Sequence, residues 1–331
     1  MSRLDLSRCF KPISGKLSAV EEELKRLLAS DLPVVAKLAG HVRASQGKRL
    51  RPALVLLAAK FCGAVTPEDV RFGAVFELIH TATLVHDDVI DHADLRRSKP
   101  TLNVVWGNTL TVLFGDLLYL QALASAIRGR NWRLLEILAE VATRMIEGEL
   151  IQNDCLYNLE ATRREYFDIQ ERKTALLFGG CTESAAVLAG RPEPDCAAMR
   201  SYGLEIGRAF QLVDDLLDYT ATREELGKPA LSDLREGKLT LPMLTLLERA
   251  PAETEPIVRR IWEAGEACPI RPEDEARLRE LIAAHDALSE TRALAAKASA
   301  AAVAHLSAVD GEASVKRLLL KIPDVLLERS A

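Results

Sequence analysis

The sequence predicts an all-α protein, and three observations carry that prediction. Ala, Leu, Glu and Arg dominate its 331 residues, aromatic residues make up only 5%, and the alternating Val/Ile/Thr runs that build strands are nearly absent. With 48% hydrophobic residues the chain can bury a substantial core, and no composition shift divides it, so residues 1–331 read as a single helical domain. A net charge of -5 gives no ground for nucleic-acid binding, and the basic residues are dispersed rather than gathered into a tail. The six cysteines lack CxxC spacing and read as small buried hydrophobes of a reducing, cytoplasmic compartment. No signal core near Met1 and no uninterrupted apolar stretch long enough to span a bilayer is expected.

Taken in order, apolar residues at three- and four-residue intervals place amphipathic helices over 16–29 and 33–44. A basic turn, Gly47-Lys48-Arg49-Leu50-Arg51-Pro52, precedes an apolar helix over 54–63. A glycine beside three cations suits an anion that needs close backbone approach and charge-assisted hydrogen bonds. Thr66-Pro67-Glu68 supplies a cap and a first-turn proline for a helix running to Asp91. Residues 92–108, broken by Pro100 and Gly107, read as a loop carrying Arg96, Arg97 and Lys99. Helices follow over 109–127, 132–153, 163–188, 195–219 and 239–249. Between the last two, residues 220–238 are charged and glycine-punctuated, a candidate lid. Beyond Pro251 the pattern loosens, with breaks at Pro269 and Pro272 and an alanine-rich helix over 293–305. No chemistry is legible there.

The chemistry sits in two acidic clusters. Asp87-Asp88-Val89-Ile90-Asp91 ends one apolar helix, and Asp214-Asp215-Leu216-Leu217-Asp218 ends another with the same spacing. Carboxylates at i, i+1 and i+4 crowd one sector of a helical turn, where like charges repel unless water or cations intervene. His80 lies on the Asp87 stripe, about 10 Å along the axis; His86 reads as a structural residue. Oxygen ligands of this kind suit Mg²⁺, which keeps waters and is completed by substrate phosphates. Lys48, Arg51, Arg96, Arg97, Lys173, Lys228 and Lys238 supply more positive charge than one monophosphate requires, so the expected ligand is one or two diphosphates on a hydrocarbon tail.

These residues together resemble the trans-prenyltransferase, or polyprenyl diphosphate synthase, family. The resemblance spans about 47–242. It includes the basic turn, both aspartate motifs, Arg96-Arg97, Gly115-Asp116, Glu147-Gly148-Glu149 with Gln152, Lys173-Thr174, Phe210-Gln211 and Glu236-Gly237-Lys238. It implies an isoprenoid-synthase bundle around a deep cavity, with the two motifs facing each other at its mouth. Asp87, Asp88, Asp91, Asp214, Asp215 and Asp218 become the magnesium sites, with Asp87, Asp91 and Asp214 the direct ligands. Arg96, Lys173, Gln211, Lys228 and Lys238 are expected around the allylic diphosphate (farnesyl or geranylgeranyl diphosphate), and Thr174 is expected among the substrate-binding residues. Lys48, Arg51, His80 and Arg97 are expected around isopentenyl diphosphate. Asp87, Asp88, Asp91, Lys173, Asp214 and Lys228 form the expected catalytic set, and a homodimer is implied.

Product length is read from the residues ahead of the first motif. Ala82 and Thr83 stand where bulky aromatics stop the chain early in relatives, so a product longer than fifteen carbons is expected, and Ile79-His80-Thr81-Ala82-Thr83-Leu84 resembles octaprenyl-type enzymes of quinone side-chain synthesis. The floor of the shaft falls to Phe76, roughly 16 Å below Asp87 by helix rise, or to Phe114, Leu117, Leu118 or Gln121. Departures from the family pattern are Gln46, Ala185 and Leu231, where many relatives carry glycine. Alternatives are a geranylgeranyl diphosphate synthase, a terpene cyclase, a non-catalytic partner subunit and a helical scaffold. The intact second motif and Lys48/Arg51 speak against a cyclase, and the intact first motif against a partner subunit.

Overall fold

The computed structural model describes residues 9–328 except 45–46, 48, 65, 97–98, 221–229 and 266–267. Two short amphipathic helices, α1 (Ser14–Leu27) and α2 (Pro33–Ala44), lead into α3 (Leu50–Cys62). Helix α3 carries apolar residues around its whole circumference and is accordingly buried. It begins four residues earlier than the sequence suggests, because Pro52 falls in the first turn, where its missing N–H costs nothing. The basic turn thus contributes Arg51 to a helix and Arg49 to its N-terminal boundary.

Helix α4 (Glu68–Ile90) runs to the first acidic cluster. The polar connection after it forms a minimal hairpin, β1 (Leu95–Arg96) against β2 (Lys99–Pro100), with Arg96 opposite Lys99. A short α5 (Leu102–Trp106) precedes α6 (Asn108–Arg128) and α7 (Trp132–Asp154). Helix α6 lies along α4. By length and overall composition it would pass for a membrane-crossing helix, although Asp116 interrupts its apolar run; its outer face carries exposed Leu113, Leu120 and Ile127.

The helix expected over 163–188 is interrupted. Helices α8 (Arg163–Gln170) and α9 (Leu176–Leu188) are joined by a π-helical turn, Glu171–Ala175, which contains Lys173 and Thr174. Such turns disrupt the regular ladder and recur at functional positions. Helix α10 (Glu193–Thr220) crosses α9 at close range. Gly203 and Gly207 permit this: a Cβ on Gly203 would fall 2.4 Å from the Phe178 carbonyl oxygen, and one on Gly207 2.5 Å from Ala175 Cα. The Thr182 hydroxyl donates to the Met199 carbonyl at 2.6 Å across the same contact.

After α10 come α11 (Ser232–Arg235), α12 (Leu241–Arg249), α13 (Pro251–Ala264), α14 (Pro272–Ala284), α15 (Ser289–Ser307), α16 (Ala313–Leu319) and α17 (Ile322–Leu327). The alanine-rich α15 lies along α10, as small residues allow. The main core joins α3, α4, α6, α7 and α9, and a second apolar cluster gathers Tyr219, Leu231 and Leu234 with α12, α13 and α14. All six cysteines are free; Cys9, Cys62, Cys181 and Cys196 are buried.

Candidate active site

The first acidic cluster closes α4, where the helix dipole disfavours negative charge and makes a cationic partner necessary. Asp88, 5% exposed, accepts a 2.6 Å hydrogen bond from Arg96 Nε on β1. Asp91 lies 3.1 Å from Lys238 Nζ, which also holds Glu236 at 2.8 Å. Burial opposes the charge on Lys238, yet Glu236 and Asp91 raise its pKa above the ordinary value. Burial, with Glu149 and Asp91 nearby, pushes the Asp87 carboxyl up to about 6 against the pull of Lys173. Lys173 itself pairs with Glu149 on α7 at 2.5 Å. Glu149 thus joins the site although its residue type alone gave it no role.

The second cluster divides by environment. Asp214 is exposed and borders the same cavity as Asp88. Asp215 is buried and accepts hydrogen bonds from the Tyr166 hydroxyl at 2.5 Å and Gln211 Nε2 at 2.9 Å. Burial, with Asp233 close by, pushes its carboxyl up to about 7 despite those bonds. Asp218 is buried and accepts from the backbone N–H groups of Ser232 and Asp233 at 3.2 and 3.3 Å. It therefore caps α11 and anchors the base of the expected lid.

The basic residues fall into two groups. A cavity of about 730 Å³ is bordered by Gly47, Arg51, His80, Arg96, Asp88 and Asp214. The Arg51 guanidinium carbon sits 5.1 Å from the centre of the Phe178 ring, a cation–π contact. Arg49, in a left-handed conformation with φ +52°, borders the same cavity and is held there by Glu21 at 2.5 Å and Glu77 at 2.8 Å. A second cavity of about 210 Å³ gathers Lys173, Thr174, Gln211, Asp215 and Lys238. There the Thr174 hydroxyl donates to Gln211 Oε1 at 2.9 Å. Arg96, grouped with the allylic set from sequence, borders the first cavity beside Arg51 and His80. Lys48, Arg97 and Lys228 lie outside the described residues, as does the central part of the expected lid.

Along α4 below the aspartates, Ala82 is fully buried, while Thr83 is half-buried and donates to the His80 carbonyl at 2.8 Å. Phe76 is fully buried at the level where α4, α7 and α9 meet. A Cβ on Gly180 would fall 2.8 Å from Val141 Cγ2 and 3.2 Å from Phe76 Cε1. Phe114 and Leu118 are also buried; Leu117 and Gln121 are partly so.

Residues 33–281 match the family model described as polyprenyl synthetase. The chain belongs to the polyprenyl synthetase family. It is 41% identical over 245 residues to heptaprenyl diphosphate synthase component 2 of Geobacillus stearothermophilus, covering 74% of this chain and 76% of that one. It is 35% identical to octaprenyl diphosphate synthase of Escherichia coli, covering 79% and 81%. Among solved structures, a polyprenyl synthase of Caulobacter crescentus, complexed with calcium and isoprenyl diphosphate, matches with a TM-score of 0.91 and 36% identity over 100% of both chains. The chain is therefore a prenyltransferase of isoprenoid biosynthesis, with the all-α isoprenoid-synthase fold.

Proposed function

We propose that this chain is a Mg²⁺-dependent trans-polyprenyl diphosphate synthase. It joins isopentenyl diphosphate head-to-tail to an allylic diphosphate, farnesyl or geranylgeranyl, and builds a long, octaprenyl-like product for quinone side chains. The observation that carries this reading is the meeting of Asp88 and Asp214, from two distant acidic clusters, on one cavity with Arg51, His80 and Arg96. Among the described residues no three His, Cys, Asp or Glu side chains form a ready-made metal cage. All-oxygen donors presented one or two at a time fit a hard dication whose shell is completed by waters and diphosphate oxygens. Asp87, Asp91 and Asp214 would hold it, with Asp88, Asp215 and Asp218 fixing their surroundings. Bound there, the metal neutralises charge building on the departing pyrophosphate.

The protein's own groups do the rest. Lys173 and Lys238, now paired with Glu149 and Asp91, exchange those partners for phosphate oxygens and stabilise the leaving group. Thr174 and Gln211 orient it. Arg51 and His80, with Lys48 and Arg97, hold isopentenyl diphosphate so that its double bond meets the allylic carbon as the C–O bond breaks. A proton then leaves the new unit for the released pyrophosphate. The apolar wall below excludes water from the cation.

Small Ala82 and Thr83 support passage of the tail, Phe76 with Val141 supports a floor, and the octaprenyl-synthase relative supports the long product. The exposed apolar residues of α6, together with exposed Ile146 and Leu150 on α7, support a homodimer. We read the chain as one cytoplasmic domain. Incubation with Mg²⁺, farnesyl diphosphate and labelled isopentenyl diphosphate, followed by product sizing, tests the reading. Products beyond twenty carbons are expected. A product ending at twenty favours a geranylgeranyl diphosphate synthase, and no elongation removes the synthase reading.

A further inference from the structure

We infer that Tyr157 and Trp262 form an aromatic clamp that positions Lys238, so that the C-terminal third reaches the head-group site through this turn. The inference rests on the reading of Lys238 as an allylic-diphosphate ligand.

Lys238 follows the short α11 in the turn Glu236-Gly237-Lys238. A lysine side chain is flexible, so where its ammonium can reach is set by where its backbone is held. Here the backbone is gripped from three sides. Asp218 receives the N–H groups at the start of α11. At the other end the Leu234 carbonyl accepts from both Gly237 N at 3.1 Å and Trp262 Nε1 of α13 at 2.8 Å. From the opposite direction Tyr157, just beyond α7, donates its backbone N–H to the Gly237 carbonyl at 2.9 Å.

The Tyr157 ring lies flat against Gly237. With φ +82°, Gly237 is in the left-handed region, and a Cβ there would fall 2.9 Å from three ring atoms, so only glycine fits beneath it. Tyr157 itself has φ +55°; a bulky residue holds that conformation only where surroundings over-determine it. Those surroundings include Trp262, whose ring meets the Tyr157 ring edge-on at 5.7 Å and 83°, a favourable quadrupole arrangement. Neither ring borders either cavity. They do not meet substrate; they fix the turn from which Lys238 spans to Asp91 on α4.

The test compares Trp262→Leu, Trp262→Phe, Tyr157→Leu, Lys238→Ala and the double variant Trp262→Leu/Lys238→Ala in the full-length protein, with far-UV circular dichroism confirming the fold. Trp262→Leu and Tyr157→Leu are expected to raise KM for farnesyl diphosphate about tenfold while KM for isopentenyl diphosphate stays within about twofold. Trp262→Phe, which keeps the ring contact but loses the Nε1 hydrogen bond to Leu234, recovers part of the loss. On the Lys238→Ala background Trp262→Leu adds less than about twofold, because neighbours acting through one group are non-additive. Tyr157→Leu carries the test if Trp262→Leu does not fold. Fully multiplicative penalties, or equal rises in both KM values, overturn the clamp. An unchanged farnesyl diphosphate KM in Lys238→Ala instead overturns the assignment of Lys238, and with it the inference.

Discussion

Replacing Thr83 with Phe should shorten the product. Thr83 sits one helical turn below Asp87, about 6 Å along the axis, whereas Phe76 sits about 16 Å below. With a floor at Phe76, a benzyl group at Thr83 removes about 10 Å of the depth below the head group, more than half of it. Thr83 is half-buried and its hydroxyl only returns to the His80 carbonyl within the same helix, so no tertiary hydrogen bond is lost. Ala82 is fully buried, and a ring there must displace neighbours at about 1–3 kcal/mol, which makes Thr83→Phe the cleaner probe. The assay is chromatographic sizing of products from farnesyl diphosphate and labelled isopentenyl diphosphate. The long products should give way to stalling after the first additions, with the initial rate of incorporation largely kept. An unchanged distribution from a folded variant would refute the passage of the tail along this face of α4.

Gly180→Ala should destabilise the fold by about 1–3 kcal/mol, because its Cβ meets Val141 and Phe76 inside van der Waals distance; denaturant unfolding reads this out, and no change would show that the junction can relax. Asp274 is buried between Arg260 and Arg271. Burial opposes its charge, but the two guanidinium groups outweigh it and hold the carboxyl below its ordinary 3.8. A depressed carboxylate stabilises the fold above its unfolded pKa and loses that contribution as pH falls through the folded value. Asp274→Asn should therefore lower Tm at pH 7 and converge on the parent below pH 3.8; a constant difference would contradict the ion pairing. Leu113 and Leu120 are 59% and 63% exposed on one face of α6. Leu113→Glu/Leu120→Glu should halve the mass seen by light scattering, and a parent that is already monomeric would remove the dimer.

The spacing of the aspartates was legible because i, i+1 and i+4 crowding is a local property of a helix. The basic turn was legible for the same reason. What each aspartate does was not, since that depends on partners brought from afar: Tyr166 for Asp215, the start of α11 for Asp218, and Lys238 for Asp91. The sequence grouped Arg96 by its neighbours in the family pattern, whereas the β1 hairpin turns it onto Asp88 beside the first cavity. The π-helical turn at Lys173 left no signal, because Arg163–Gln170 and Glu171–Ala175 run on without a proline or glycine to mark a break. The C-terminal third read as empty of chemistry because Trp262 acts on a backbone carbonyl, which no side-chain motif records.

The most direct measurement is incorporation of labelled isopentenyl diphosphate onto farnesyl diphosphate by the purified protein, with Mg²⁺ and with a chelator, beside the Asp87→Asn and Asp214→Asn variants. Elongation that requires the divalent cation and falls at least about a hundredfold in each variant is the expected result. Elongation that survives the chelator, or that survives loss of either aspartate, would contradict a reaction organised by two facing acidic clusters.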